Sequence, residues 1–139
     1  MSDLKIRQLF ESRLGAWAAA RAPALQIAYE DRAFTPPASD DTYLRAYLMP
    51  ANTDSQDLEG KHVGYRGVFQ VSVVTKAGLG RGPAGVIAEE IQNLYPNNLE
   101  LTKAGFSVFV RSPMSSAAPI QGDTTSTLPL SFQYRADTF

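Results

Sequence analysis

The residues best placed to do chemistry in this sequence form a glycine-rich turn between two regular segments. Residues 80–85 read Gly-Arg-Gly-Pro-Ala-Gly, which matches the G-x-G-x-x-G pattern of dinucleotide-binding proteins. In those proteins the pattern follows a parallel strand and opens a helix, whose N-terminal amides hold a pyrophosphate. A strand pattern ends here at Thr75 and a helix pattern runs on to Leu94, so the local context of the match fits.

The wider context of this turn favours a structural corner. A dinucleotide fingerprint needs an acidic residue at the end of the next strand, but that strand runs into Arg111. Pro83 also removes one amide from the supposed phosphate cradle. We therefore expect no enzymatic activity, and a nucleotide-binding enzyme that uses Gly80–Gly85 stays the minor alternative. Alanine at Gly80, Gly82 or Gly85 is expected to cost stability wherever φ is positive.

The other ionisable groups form no recognisable site. His62 is the sole histidine and cysteine is absent, so neither a zinc site nor a nucleophile–histidine pair can be assembled from the sequence. We interpret His62 as a solvated loop residue. The acidic residues Asp54, Asp57 and Glu59 miss the spacing of a calcium loop and offer at most a weak divalent site. No catalytic residue, cofactor or metal is expected.

Hydrophobic periodicity predicts two helices and about five strands. Apolar residues three and four apart predict a helix over 2–21, in which Trp17 is expected to be the largest buried side chain. A second helix pattern follows the glycine turn and stops before Pro96. Alternation of apolar and polar residues predicts strands near 25–30, 42–49, 65–75, 106–110 and 128–135.

These elements predict an α+β fold: a mixed, mostly antiparallel sheet of about five strands with both helices packed on one face. The length of 139 residues indicates one domain, spanning 1–139. Two polar segments, 51–64 and 112–127, are interpreted as long mobile loops. Pro129 suggests that the last strand lies at an edge of the sheet.

Composition and charge exclude several classes of partner. The net charge is −1, with 44% hydrophobic and 19% charged residues, which is globular but gives no basic stripe for nucleic acid. No apolar run approaches the roughly 20 residues of a membrane span, and the N-terminal residues lack a signal-peptide pattern. We expect a soluble protein that is not secreted and binds neither membrane nor specific nucleic acid sequences.

One face of the predicted sheet is left uncovered by the helices. Its polar positions, with Arg81 added from the glycine turn, form the candidate assembly surface: Arg45, Tyr47, Arg66, Gln70, Arg81 and Arg135. These residues can either face solvent or contact another subunit, and the sequence does not decide between the two.

Three stretches of the chain carry a resemblance to a known family. They are 27–50 (IAYEDRAFTPPASDDTYLRAYLMP), 64–96 (GYRGVFQVSVVTKAGLGRGPAGVIAEEIQNLYP) and 129–135 (PLSFQYR). Together they resemble the phage tail-terminator-like proteins of phages and prophages, over roughly Leu4 to Arg135. The landmarks are the Tyr29–Pro37 segment, the Gly67–Val71 strand and the Gly80–Gly85 turn into a helix.

The resemblance implies a structural role without catalytic residues. It implies a ring of subunits, typically six, that caps the tail tube, stops its growth and presents a surface for head attachment. The implied partners are other copies of the chain, the tail tube protein and the head–tail connector protein. The implied location is the virion tail, with the host cytoplasm during assembly. Another neck component, such as a head–tail joining protein, is the alternative.

Overall fold

A computed structural model shows two helices and eight strands in the residues that it describes. It describes residues 2–21, 24–30, 42–51, 53, 55, 58–78, 82–103, 105–122 and 125–138. The helices are α1 (Ser2–Ala20) and α2 (Gly82–Leu94). The strands are β1 (Gln26–Tyr29), β2 (Tyr43–Pro50), β3 (Val63–Lys76), β4 (Glu100–Lys103), β5 (Phe106–Val110), β6 (Ser115–Ser116), β7 (Ile120–Gln121) and β8 (Thr125–Thr138).

All eight strands belong to one mixed sheet that curls into a half-barrel. The order across the sheet is β1-β2-β3-β8-β5-β4, and β6 and β7 also pair with β8. Only β1 and β2 run parallel among the described pairs. The predicted α+β class and the mostly antiparallel sheet are therefore confirmed, although the strands number more than about five.

The last strand, β8, lies in the middle of the sheet, so the prediction that it is an edge strand was wrong. It pairs with β3 over its whole length, from Thr125 opposite Lys76 to Thr138 opposite Val63. The position of Pro129 explains why a proline is tolerated there. Its carbonyl accepts a hydrogen bond from the Ala117 amide, on the side away from β3. In an antiparallel strand the N–H and C=O groups of one residue point to the same side. The N–H that Pro129 lacks would therefore also point away from β3, so the pairing of β8 with β3 loses no hydrogen bond.

The segment 112–127, predicted as a single loop, continues the β5–β8 hairpin. Its strands β6 and β7 pair with β8 beyond the end of β5, so β5, β6 and β7 follow one another along the same side of β8. Each of these two strands is only two residues long and carries no alternation of its own. β4 was also missed, since no strand was predicted between the second helix and residue 106. Pairing with a neighbouring strand, rather than local sequence, makes these three segments strands.

Both helices cover the same face of the sheet, which we call the inner face. Phe10 of α1 is fully buried and its ring lies 5.1 Å from those of Phe69 and Phe132, measured between centroids. Tyr95 closes this cluster, and its hydroxyl donates a 2.6 Å hydrogen bond to the Phe10 carbonyl. Burial raises the pKa of the Tyr95 phenol. Trp17 is only partly buried at the margin of the core, so the prediction that it is the largest buried side chain was wrong.

Candidate assembly surface

The candidate surface lies on the face of the sheet opposite the helices, which we call the outer face. The register places five predicted side chains there, because Arg45 pairs with Ser72, Tyr47 pairs with Gln70, and Arg66 pairs with Arg135. The core side chains Phe69, Val71 and Val73 alternate with them along β3 and point to the inner face. The sixth predicted residue, Arg81, lies outside the described part of the chain.

The first group on this face surrounds Arg45, which is exposed. Its guanidinium donates a 3.1 Å hydrogen bond to the Tyr43 hydroxyl and lies 5.7 Å from the centroid of that ring. The hydrogen bond raises the pKa of Arg45, so the side chain keeps its charge. Beside it, the Gln70 side-chain amide donates to the Ser72 hydroxyl at 3.1 Å. The group is therefore an arginine held by an aromatic ring and bordered by a polar pair.

The second group lies at the other end of β3 and centres on two arginines. Arg66 and Arg135 are directly opposite each other on neighbouring strands, an arrangement in which like charges repel. Asp137 relieves part of this repulsion, because its two carboxylate oxygens accept hydrogen bonds of 3.2 and 3.1 Å from Arg135. Arg66 and Ser72 are six positions apart along β3, or roughly 20 Å of extended strand. The sheet thus does not bring all the predicted residues into one cluster.

His62 belongs to this second group, so the interpretation of it as a solvated loop residue was wrong. Only 4% of its surface is exposed. Its Nε2 atom lies 2.7 Å from Oδ1 of Asp137. The contact ties the segment before β3 to the end of β8, two points 75 residues apart along the chain.

The glycine turn does not have the surroundings of a dinucleotide site. Its residues 79–81, including Gly80, lie outside the described residues. Gly82 and Gly85 belong to α2, and neither has a positive φ, in contrast to Gly78 with φ of 90°. The strand after α2 is β4, which pairs with β5 and is not a neighbour of β3. Without a parallel strand beside β3, the unit that holds a pyrophosphate is not formed.

The part of the chain that the structure describes has neither a metal-binding cluster nor a membrane-spanning helix. No group of three or more His, Asp or Glu side chains in it could hold a metal ion. Glu59 forms an exposed 2.9 Å ion pair with Lys61, whereas Asp54 and Asp57 are outside the described residues. Neither described helix is long and apolar enough to cross a membrane.

Comparison with known proteins decides the family. A family model described as phage tail terminator protein matches residues 5–134, which is most of the chain. The chain belongs to the phage tail terminator protein family. The resemblance noted in the sequence is thereby confirmed.

Membership in the terminator family gives the chain a structural role in the phage tail, and the family is not known for enzymatic activity. One protein of solved structure is 46% identical to this chain, with a TM-score of 0.84 over 100% of this chain and 97% of the other. No curated protein matches the chain.

Sequence reasoning missed several residues that this terminator-family structure places on the outer face. They are Tyr43, His62, Ser72, Phe109, Arg111 and Asp137. The sequence held one signal for the face on which His62 lies. His62 comes four positions before Arg66, so an extended chain brings both side chains to the same face.

We predict that Asp137→Asn lowers stability in a pH-dependent way. The hydrogen bonds from Arg135, and then that from His62, hold the pKa of Asp137 below its usual range. A carboxylate with a depressed folded pKa stabilises the protein above its unfolded pKa of about 3.9 and loses this contribution as pH falls through the folded value. At pH 7 the variant should lose about 1–2 kcal/mol, allowing for partial exposure.

Urea unfolding of the Asp137→Asn protein and the parent at pH 7 and pH 3 measures this effect. The gap between them should be largest at pH 7 and shrink at pH 3. Glu59→Gln is the control, because its exposed ion pair should change stability by less than about 0.5 kcal/mol at either pH. An equal gap at both pH values for Asp137→Asn would contradict the assignment.

Proposed function

We propose that the chain caps the phage tail tube, ends its polymerisation and offers a surface for head attachment, acting as a ring of six subunits. The family match over residues 5–134 carries the proposal, because it places the chain among the tail terminators along nearly its whole described length. The same match favours this role over the alternative of another neck component. During assembly the protein acts in the host cytoplasm.

The outer face of the sheet supports an assembly role. In a closed ring of identical subunits, one patch of each subunit contacts a different patch of the next. The rotation between neighbouring subunits must close the ring. The helices leave this face uncovered, and partly or fully exposed aromatic and arginine side chains lie on it, Tyr47 and Arg45 among them. Tyrosine and arginine are enriched in protein–protein interfaces. We assign one of the two patches to this face, with Arg45, Tyr47, Arg66, Gln70 and Arg135 as its candidate contacts.

Negative-stain microscopy of purified protein mixed with isolated tail tubes tests the proposal. We expect added density at one end of the tubes, with ring-shaped end views that show the number of subunits. The protein alone at the same concentration is the control for rings that form without a tube. Tubes whose ends stay bare at saturating protein would contradict the role, and protein bound evenly along the tube walls would contradict it as well.

A further inference from the structure

An exposed row of side chains crosses α2 on the side away from the sheet. Pro83, Val86 and Glu89 follow one another at three-residue spacing, and all three are exposed, Val86 to 58%. Residues three apart on a helix have Cβ atoms roughly 5–6 Å from each other, so these side chains form one continuous row. We call them the α2 ridge. Its order is two apolar side chains followed by one carboxylate.

The charge of α2 is negative along its whole length. Gly82–Leu94 contains two glutamates and no lysine or arginine. Glu90 forms a 2.9 Å ion pair with Arg21 of α1, whereas Glu89 is exposed at the end of the α2 ridge. The ridge therefore offers a partner apolar surface beside a negative charge.

Gly85 lies next to the α2 ridge, and the fold of the chain itself does not require glycine there. Its φ is not positive, and among the described residues no atom outside its own stretch of helix lies within 4 Å of an added Cβ. Glycine in a helix interior lowers stability relative to alanine, and close approach of another backbone is one reason to keep it. Gly85 thus leaves room for a strand against the ridge.

The outer face carries a row of side chains whose order matches that of the α2 ridge. Arg45, Tyr47 and Met49 alternate with core residues along β2, and Arg45 and Met49 are exposed while Tyr47 is partly exposed. Alternate residues of a strand are roughly 6.6 Å apart, close to the spacing of the ridge. We call these three residues the β2 row. From Met49 to Arg45, its order is two largely apolar side chains followed by one cation.

We propose that the α2 ridge of one copy binds the β2 row of the next copy. The two rows pair residue by residue: Pro83 with Met49, Val86 with Tyr47, and Glu89 with Arg45. This inference rests on the proposed function, in which the outer face is one of two patches, and it supplies the other patch. The opposite charges at one end of the rows fix the register and direction of the contact.

The partner is a second copy of this chain because both rows belong to every copy and lie on opposite faces of it. α2 covers the inner face of the sheet, whereas the β2 row lies on the outer face. A contact between two different patches is heterologous, so each copy can bind one neighbour through its ridge and another through its row. Repetition of this contact gives the head-to-tail order that a ring requires.

Disulfide trapping tests the contact directly, since the chain has no cysteine of its own. The full chain with Tyr47→Cys/Val86→Cys is oxidised alone and with isolated tail tubes, and the products are separated on a non-reducing gel. A disulfide needs Cα atoms within about 7 Å, so we expect a ladder of covalent oligomers that extends beyond the dimer. The matched control is Leu4→Cys/Tyr47→Cys, in which Leu4 is 56% exposed on the other helix. It should cross-link at least about tenfold more slowly.

Charge reversal tests the pairing of Glu89 with Arg45. Added to the Tyr47→Cys/Val86→Cys chain, either Arg45→Glu or Glu89→Arg should slow cross-linking by about tenfold. The two reversals together should restore the rate to within about threefold of its starting value, because opposite charges again face each other. A merely structural role of either residue would not be rescued in this way. Thermal unfolding of each variant confirms that it is folded.

Three results would overturn the inference. These are cross-linking of Tyr47→Cys/Val86→Cys no faster than the Leu4→Cys/Tyr47→Cys control both with and without tubes, a product that stops at the dimer, and a double charge reversal that stays as slow as the single ones.

Tube capping by the same variants separates this inference from the proposed function. Tube ends capped by the parent, with cross-linking at the level of the control, contradict the further inference alone. Copies that cross-link head to tail while the parent leaves tube ends bare contradict the proposed function alone. If Glu89→Arg prevents capping without slowing cross-linking, the α2 ridge binds the tube instead of another copy and the further inference fails.

Discussion

Replacing Phe10 with alanine is expected to lower the free energy of unfolding by about 3–5 kcal/mol, the range for large aromatic side chains removed from a core. Phe10 is fully buried and contacts the two sheet rings Phe69 and Phe132 at 5.1 Å. It also meets Tyr95 and Tyr134, at centroid distances of 6.0 and 5.7 Å. Because this one ring joins α1 to the central strands, its loss leaves a cavity where the two layers meet.

Leu4→Ala on the same helix is the matched control for Phe10. The Leu4 side chain is 56% exposed, so its truncation should change stability by less than about 0.5 kcal/mol. Chemical denaturation of the parent and both variants measures the difference. Similar midpoints for the two variants would show that the aromatic cluster does not hold the layers together.

The second large effect is expected at Gly67, in the middle of β3. A Cβ atom added there would overlap the Met49 carbonyl oxygen and would lie 2.7 Å from the Tyr134 hydroxyl and 2.9 Å from Cα of Pro50. Two of these three neighbours are backbone atoms, which cannot turn aside as a side chain can. Gly67→Ala should therefore cost about 3 kcal/mol, at the upper end for overpacking.

Gly85→Ala provides the control for Gly67 and is expected to have the opposite sign. Gly85 lies within α2, has no atom within 4 Å of its added Cβ, and does not have a positive φ. Alanine there should stabilise the protein by about 0.5–1 kcal/mol, because glycine is the costlier residue inside a helix. Thermal and urea unfolding of the two variants tests this. A destabilised Gly85→Ala would restore the view that the glycine turn is strained, and a neutral Gly67→Ala would refute the close approach of β2 and β3.

The sequence predicted the structure correctly wherever the apolar residues of one segment repeated at the spacing of a strand or a helix. Alternation along 65–75 predicted both β3 and the face that its even positions share, so Arg66 and Gln70 were assigned correctly to one side of the sheet. Strand order is a different matter, because alternation says which side chains share a face but not which strands are neighbours. Pro129 suggested an edge strand, but its backbone groups face away from β3. On that side β8 pairs only with the two-residue strand β6, so the missing N–H leaves the pairing with β3 intact.

The contacts of the second group could not be predicted for a related reason. His62 and Asp137 are 75 residues apart, and nothing in the spacing of either residue points to the other. Only the full-length pairing of β3 with β8 brings Gly64 opposite Asp137, which places the carboxylate beside the imidazole. The grouping of the outer-face arginines was hidden in the same way, because Arg45, Arg66, Arg111 and Arg135 come from four separate segments of the chain.

The growth of tail tubes tests the central claim most directly. Purified tube protein is allowed to polymerise, the terminator-family chain is added during growth, and tube lengths are measured by electron microscopy over time. The account predicts that elongation stops soon after the addition, with tubes that stay shorter than those in buffer alone. Tubes that continue to lengthen at the same rate in saturating protein would contradict it.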